Sequence, residues 1–197
     1  MTNKRLVVAS NNSHKTAEMI AYFDLLGQEV INYRDLHEQI SFPAESETDM
    51  AYNMQMKAET VHAILPDEYI LADDSALFIP SIPEHFGVTT MREFKAHQLS
   101  GNEEINDYIL AQLPAGVDRA GYLQANFYLI TPEGERVDVV QTGGIAIAEA
   151  ARSDNGIDAL MVTETGQTLG EMPLSERIDY AHRGRAAQVL LKKLANI

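Results

Sequence analysis

Short apolar runs broken by polar turns set the opening of the chain. Leu6-Val7-Val8-Ala9 reads as a buried strand. A polar turn, Ser10 to Ser13, follows, rich in cap-forming residues. From Thr16 to Leu26 the apolar side chains Ala17, Met19, Ile20, Phe23 and Leu26 recur at helical spacing, and Gly27 stops the helix. Gln28 to Tyr33 returns to strand character. A strand–helix–strand opening predicts an α/β fold.

Further along, Met50 to Leu65 reads as a helix ended by Pro66. Tyr69 to Ala72 reads as a short strand feeding Asp73-Asp74-Ser75, and 80–90 as irregular. Glu103 to Leu113 is a helix stopped by Pro114. Tyr122 to Thr131 and Arg136 to Gln141 flank Pro132-Glu133-Gly134-Glu135 and form a hairpin, whose second arm Ile145 to Ala148 extends. Ile157 to Val162 reads as a late strand, and Arg185 to Leu194 as a closing amphipathic helix. No internal repeat interrupts this order.

Composition narrows the function. The chain has 197 residues and 45% hydrophobic content, enough for one sizeable core. It has no cysteine, which excludes disulfides and thiolate metal sites and fits a cytoplasmic location. The run Leu6 to Ala9 is too short for the core of a signal peptide, and no stretch reaches the roughly 18 apolar residues of a membrane helix. A net charge of −14 argues against nucleic-acid binding. An anionic ligand then needs a local cluster of cations or a divalent metal.

Four constellations meet that requirement. Ser10-Asn11-Asn12-Ser13-His14-Lys15 lies where a strand hands over to a helix. Free N–H groups and a positive dipole end favour phosphate there. Without an internal glycine this is no Walker loop, and a capped helix beside a solvated lysine is the plainer alternative. Asp73-Asp74-Ser75 follows a strand: paired acids can hold Mg²⁺ and orient water, although aspartates also populate turns. Glu45-Ser46-Glu47 precedes the helix carrying Asn53 and Lys57, one turn apart on one face. Capping and surface charge would explain the same acids. Last, Arg177, His182, Arg183 and Arg185 concentrate positive charge before the final helix, where cations are unfavourable without an anion.

In order, these segments resemble the inosine triphosphate pyrophosphatase family from Leu6 to Leu194. The family's Thr/Ser-x-Asn-x-x-Lys appears as Ser10 to Lys15, followed by Glu18. Its acidic stretch and Asn-Ala-x-x-Lys-Ala helix appear as Glu45 and Asn53 to Ala58. Its Ala-Asp-Asp-Ser-Gly-Leu is Ala72 to Leu77, with Ala76 for glycine. Its Gly-x-x-Ser-Ala-Arg is weakly kept as Gly87 to Arg92, and its Arg-Ala-x-Phe as Arg119 to Tyr122. Its late Thr-x-Ala-Glu-Leu is Thr168 to Met172. Its Lys and Ser-His-Arg-Gly-x-Ala are Arg177 and Ala181 to Ala186.

The resemblance implies a long mixed central sheet flanked by helices, in two lobes around an active-site cleft, with residues 1–197 forming a single bilobed domain and a homodimer. It implies hydrolysis of nucleoside triphosphates to monophosphate and pyrophosphate with Mg²⁺, favouring the deaminated purines ITP, dITP and XTP. It assigns Asp74, Lys15 and Glu45 to catalysis, and Glu45 and Asp74 to the metal. It assigns Ser10, Asn11, Asn12, Ser13, His14, Lys15, Lys57, Ser75, Asn155, Gly156, Asp158, Arg177, His182 and Arg183 to the substrate.

Two departures stand out. The family's Gly-Phe-Gly-Tyr-Asp-Pro is Asp154-Asn155-Gly156-Ile157-Asp158-Ala159, so an amide replaces the base-stacking aromatic. Such stacking contributes about 1–3 kcal/mol. Ala76 would resist a left-handed backbone where the family has glycine. Alternatives are a pyrophosphatase for pyrimidine or other nucleotides, a nucleotide-binding relative without turnover, and a structural dimer module.

Overall fold

A computed structural model describes residues 4–197. The principal sheet has five strands in the order β2-β1-β3-β4-β5. They are β1 (Leu6–Val8), β2 (Val30–Asn32), β3 (Tyr69–Phe78), β4 (Tyr122–Ile130) and β5 (Arg136–Gly143). β1 lies parallel to both neighbours, pairing Val7 with Ile31 and with Ile70. The hairpin of β4 and β5 closes through Thr131 N–H to the Glu135 carbonyl at 2.9 Å. The sheet is mixed and flanked by helices, the α/β class expected from the sequence.

The chain divides into two compact units. The first comprises Met1–Asp74, Ala125–Gln141 and Ala186–Ile197. Here the alternation of a strand explains the layering: Leu6 and Val8 enter one apolar cluster with Phe23, Leu71, Phe127 and Leu190, and Val7 enters another with Tyr33, Met54, Val61 and Ile70. Both faces of the parallel strands are covered, which is why β1 reads as an unbroken apolar run. Truncating a leucine such as Leu190 to alanine in such a core costs about 2–5 kcal/mol.

Helix α1 (Ser13–Leu25) starts at Asn12, whose side chain accepts from Lys15 N–H. It starts three residues before the apolar spacing indicated, because Asn12 caps it. Gly27 closes it at φ +71°, the left-handed stop that glycine takes without strain. Helix α2 (Met50–His62) is capped by Asp49.

The second unit comprises Ser75–Gln124 and Thr142–Arg185. It contains α3 (Thr90–Ala96), which the irregular composition before it concealed, and α4 (Asn102–Ala111). Strands β6 (Ala146–Ile147) and β7 (Met161–Val162) pair antiparallel in a separate two-stranded sheet. Ile145 to Ala148 therefore does not prolong the hairpin. Gly144, at φ +77°, breaks the strand first. The expected strand Ile157 to Val162 is a 3-10 turn over Gly156–Ala159 followed by the two residues of β7. The short helix α5 (Leu174–Arg177) precedes α6, which spans His182–Leu194 and starts three residues before the predicted helix. No helix among the described residues is long and apolar enough to cross a membrane.

Candidate functional site

The acid pair lies inside a strand and not in a turn. β3 runs on through Asp73, Asp74 and Ser75 to Phe78, six residues past the expected end at Ala72. Two things carry it past the charges. Lys15 neutralises the aspartates, with its Nζ 3.3 Å from Asp73 Oδ2 and 3.9 Å from Asp74 Oδ1. Beyond them Leu77 N–H donates to Thr90 Oγ1 at 3.1 Å, and Leu77 bridges Gly87. Ala76 is extended, and the only non-glycine residues with positive φ among those described are Phe86 and Gln98. The glycine missing from the motif is therefore not needed for backbone freedom.

Asp73 is fully buried and takes Lys15 on its carboxylate and, at 3.3 Å, on its backbone carbonyl. It braces the lysine. Asp74 keeps 17% of its side chain exposed and is the member of the pair that solvent reaches. Burial raises its carboxyl above the usual 3.8; the charges of Lys15 and Lys57 pull it down, and those of Asp73 and Glu45 push it up.

Those causes place Glu45 and Lys57 in the same electrostatic neighbourhood. Asn53, on the buried face of α2, receives Ser46 N–H on its Oδ1 at 2.7 Å and donates its Nδ2 to the Ser46 carbonyl at 3.0 Å. One amide side chain thus satisfies both polar groups of a single residue and fixes the acidic segment. One turn later Lys57 forms an ion pair with Glu45. The sequence placed Asn53 and Lys57 on one helical face; the structure shows that face holding the acids.

The first loop is braced from behind. Tyr33, with no exposed surface, donates its hydroxyl to Asn11 Oδ1 and accepts Ile40 N–H at 3.0 Å. Asn11 Nδ2 reaches the Ile40 carbonyl at 2.9 Å. Ser10 Oγ accepts Asn12 N–H at 3.1 Å. Ser13 and His14 lie exposed on the first turn of α1, where N–H groups have no intrahelical acceptor. Ser10 to Lys15, Glu45, Lys57 and Asp74 all belong to the first unit.

The remaining candidates lie in the second unit. Ser75 is partly buried on β3. Arg177 is the hub of the others. Its guanidinium donates to the Met172 carbonyl at 2.9 Å and lies 3.7 Å from Asp158 Oδ2. The Asn155 amide, turned so that its oxygen faces the arginine, accepts from Nη1 at 2.7 Å and Nη2 at 3.1 Å. Asn155 is thus a polar clamp on a cation. Asn102 supports this loop by donating to the Asp154 carbonyl at 2.8 Å, and Gly156 adopts φ +56° beside it.

His182 is buried on the first turn of α6, with Arg183 partly buried beside it. Their placement depends on two glycines. A Cβ at Gly143 would collide with His182 N and the Tyr180 carbonyl, and one at Gly184 with the Ile178 backbone. The close approach of Gly143 to the 180–182 turn is a long-range contact that residue spacing does not reveal. Arg185, by contrast, is occupied with Glu164 Oε1 at 3.0 Å and the Thr142 carbonyl at 3.0 Å.

The oxygen donors Glu45 and Asp74 suit a hard divalent cation, which takes one or two carboxylates and completes its shell with water and phosphate oxygen. No group of three or more metal-ligating side chains occurs among the described residues.

Comparison with known proteins identifies the family. A dihydroneopterin triphosphate diphosphatase of Limosilactobacillus reuteri is 33% identical, over 95% of this chain and 96% of its own. A dITP/XTP pyrophosphatase of Leuconostoc mesenteroides is 29% identical over 96% of each. The Ham1 protein of Staphylococcus aureus, 23% identical, shares the fold with a TM-score of 0.76 over 98% of both chains. The Ham1 family model matches residues 6–193. The chain belongs to the Ham1 family, the inosine triphosphate pyrophosphatases that its motifs resemble.

Proposed function

We propose that this protein hydrolyses nucleoside triphosphates between the α and β phosphates, releasing nucleoside monophosphate and pyrophosphate, and that deaminated purines (ITP, dITP and XTP) are its preferred substrates. The observation that carries this reading is the half-buried Asp74, set between Lys15, Lys57 and Glu45 in the strand that follows the phosphate loop motif of a Ham1 family chain. The substrate preference is supported by relatives named dITP/XTP pyrophosphatase.

In this reading Asp74 orients the attacking water and takes its proton. A carboxylate made more basic by burial accepts that proton more readily than an exposed one. The phosphorus–oxygen bond to the leaving pyrophosphate breaks as the water oxygen bonds. Ser10 to Lys15 cradle phosphate oxygens with side chains and first-turn N–H groups. Lys15 keeps the buried Asp73 compensated while facing the substrate. Glu45 and Asp74 would hold Mg²⁺, which supplies charge neutralisation and polarisation of the phosphate oxygens when bound. In the second unit Asn155, Gly156, Asp158, Arg177, His182 and Arg183 serve the nucleoside end. A cytoplasmic homodimer without nucleic-acid or membrane partners completes the proposal.

One observation favours a second reading of the substrate. Asn155 grips Arg177 where the family stacks an aromatic, and a relative at 33% identity is named for dihydroneopterin triphosphate. The same chemistry at the anhydride would then serve a pterin.

The test is pyrophosphate release from ITP, dITP, XTP, the four common ribonucleotides and dihydroneopterin triphosphate, with Mg²⁺ and with chelator. Chelator-sensitive release led by ITP or XTP is expected. Release led by the pterin selects the second reading, and no release from any substrate overturns the hydrolytic one.

A further inference from the structure

Two of the three cations around the first loop are already neutralised. Lys15 faces Asp73 and Asp74, and Lys57 pairs with Glu45. Arg34 is the exception. It lies on the 3-10 turn Tyr33–Asp35 at the end of β2, capped by Asn32. Asn32 is 6% exposed, and its Oδ1 accepts both Arg34 N–H at 3.0 Å and Arg34 Nε at 2.9 Å. The Nδ2 of the same amide donates to the Ser10 carbonyl and to Thr16 Oγ1, each at 2.9 Å. Arg34 Nη2 then reaches Ser13 Oγ at 3.0 Å. The guanidinium is thus anchored to both ends of the Ser10–Thr16 segment by neutral groups alone.

Among the described residues Arg34 makes no ion pair, in a chain with 29 acidic and 15 basic residues. Its Nη1 donors have no acceptor among those residues. A guanidinium held rigidly, with donors to spare and no carboxylate partner, is suited to a phosphate group, whose oxygens match its fork. We infer that Arg34 is a phosphate-binding residue of this site, directed at the pyrophosphate portion of the substrate. Lys15 and Asp73 then form chiefly an internal ion pair, and Arg34 supplies the uncompensated charge. This assignment rests on the proposed function for its ligand.

Calorimetric titration with inorganic tripolyphosphate and pyrophosphate tests it directly, using wild type, Arg34→Gln and Arg34→Lys, each checked for folding by thermal unfolding. At least tenfold weaker binding is expected for Arg34→Gln. Arg34→Lys should restore only part of it, since an ammonium's three donors radiate from one atom and do not reproduce the planar fork that spans Asn32, Ser13 and a phosphate. In turnover, inhibition by pyrophosphate should weaken by the same factor in Arg34→Gln, and inhibition by nucleoside monophosphate should not change. Equal tripolyphosphate binding by folded wild type and Arg34→Gln overturns the assignment, as does a wild type that binds none. If wild type binds tripolyphosphate through Arg34 yet hydrolyses no nucleotide, the proposed activity fails and this inference stands. If it hydrolyses nucleotides with the same KM and pyrophosphate inhibition in both forms, the reverse holds.

Discussion

At Asp74 desolvation outweighs two neighbouring lysines, so the native carboxyl holds its proton more tightly than the unfolded chain does. The consequence for stability follows from linkage. As pH rises past the ordinary 3.8 and through the raised native value, the unfolded form loses its proton first, and the native state loses stability relative to it. The charge that the proposed mechanism asks of Asp74 is therefore a cost to the fold. Asp74→Asn should lower the turnover of the best substrate by about 10²- to 10⁴-fold, the usual worth of a general base. It should leave the protein at least as stable at pH 7 as wild type, with an advantage that grows as pH rises from the ordinary 3.8 through the raised native value. Thermal unfolding across that range, beside pyrophosphate release, reads both effects; undiminished turnover would remove Asp74 from the mechanism.

Which residues the sequence could expose depends on how their roles arise. Lys15, Glu45, Lys57 and Asp74 stand out as candidates because residue type, local spacing and the family motifs mark them. Asn32, Arg34 and Gly143 are not, because each acts across a fold-dependent contact: 22 residues from Asn32 to Ser10, 21 from Arg34 to Ser13, and the 180–182 turn for Gly143. Asn155 was legible as a substitution, but its grip on Arg177 was not.

Among the elements, α3 shows how a segment with little periodicity is held. Glu93, on its first turn, accepts from His85 Nδ1 at 2.6 Å, from Phe86 N–H at 2.6 Å and from Tyr108 Oη at 2.9 Å. These bonds secure Phe86 at φ +65° before Gly87, and pack its ring against Phe94 and Tyr108. Burial opposes the charge on Glu93, but the hydrogen bonds prevail and hold its carboxyl below the usual 4.5. Tyr108 is pushed up to about 12 by burial and by that carboxylate. For a depressed carboxyl the stabilisation is present above 4.5 and is lost as pH falls through the native value. Glu93→Gln should cost about 1–3 kcal/mol at pH 7. The difference from wild type should shrink as the pH is lowered below 4.5, and the Tyr108 titration should move down. A pH-independent difference in urea unfolding would show that side-chain shape, and not the charge, secures the turn. β3 makes the complementary point. Its first residues were legible as an apolar run. Its continuation through two aspartates was not, because Lys15, from another element, makes those charges tolerable.

For the whole molecule, the parallel opening of β1, α1, β2 and β3 and the hairpin of β4 and β5 were legible, since burial on both faces or alternation marks each strand. The place of the division into units was not, since it is a property of packing and not of linkers: the boundary falls inside β3, between Asp74 and Ser75, with no composition change there. The Asn53 clamp on Ser46 carries one further consequence, for the dynamics of the first unit. An amide proton bonded to a side chain on a buried helix face escapes to solvent only when that helix opens or the side chain swings away. The Ser46 amide therefore acts as a clock for the acidic segment. If its hydrogen–deuterium exchange in the free protein is as slow as that of Val7 and Ile70 in the sheet, the carboxylate arm is preassembled and opens only with the core. If it exchanges orders of magnitude faster, the arm samples open forms before any substrate arrives, and part of the binding free energy must be spent closing it.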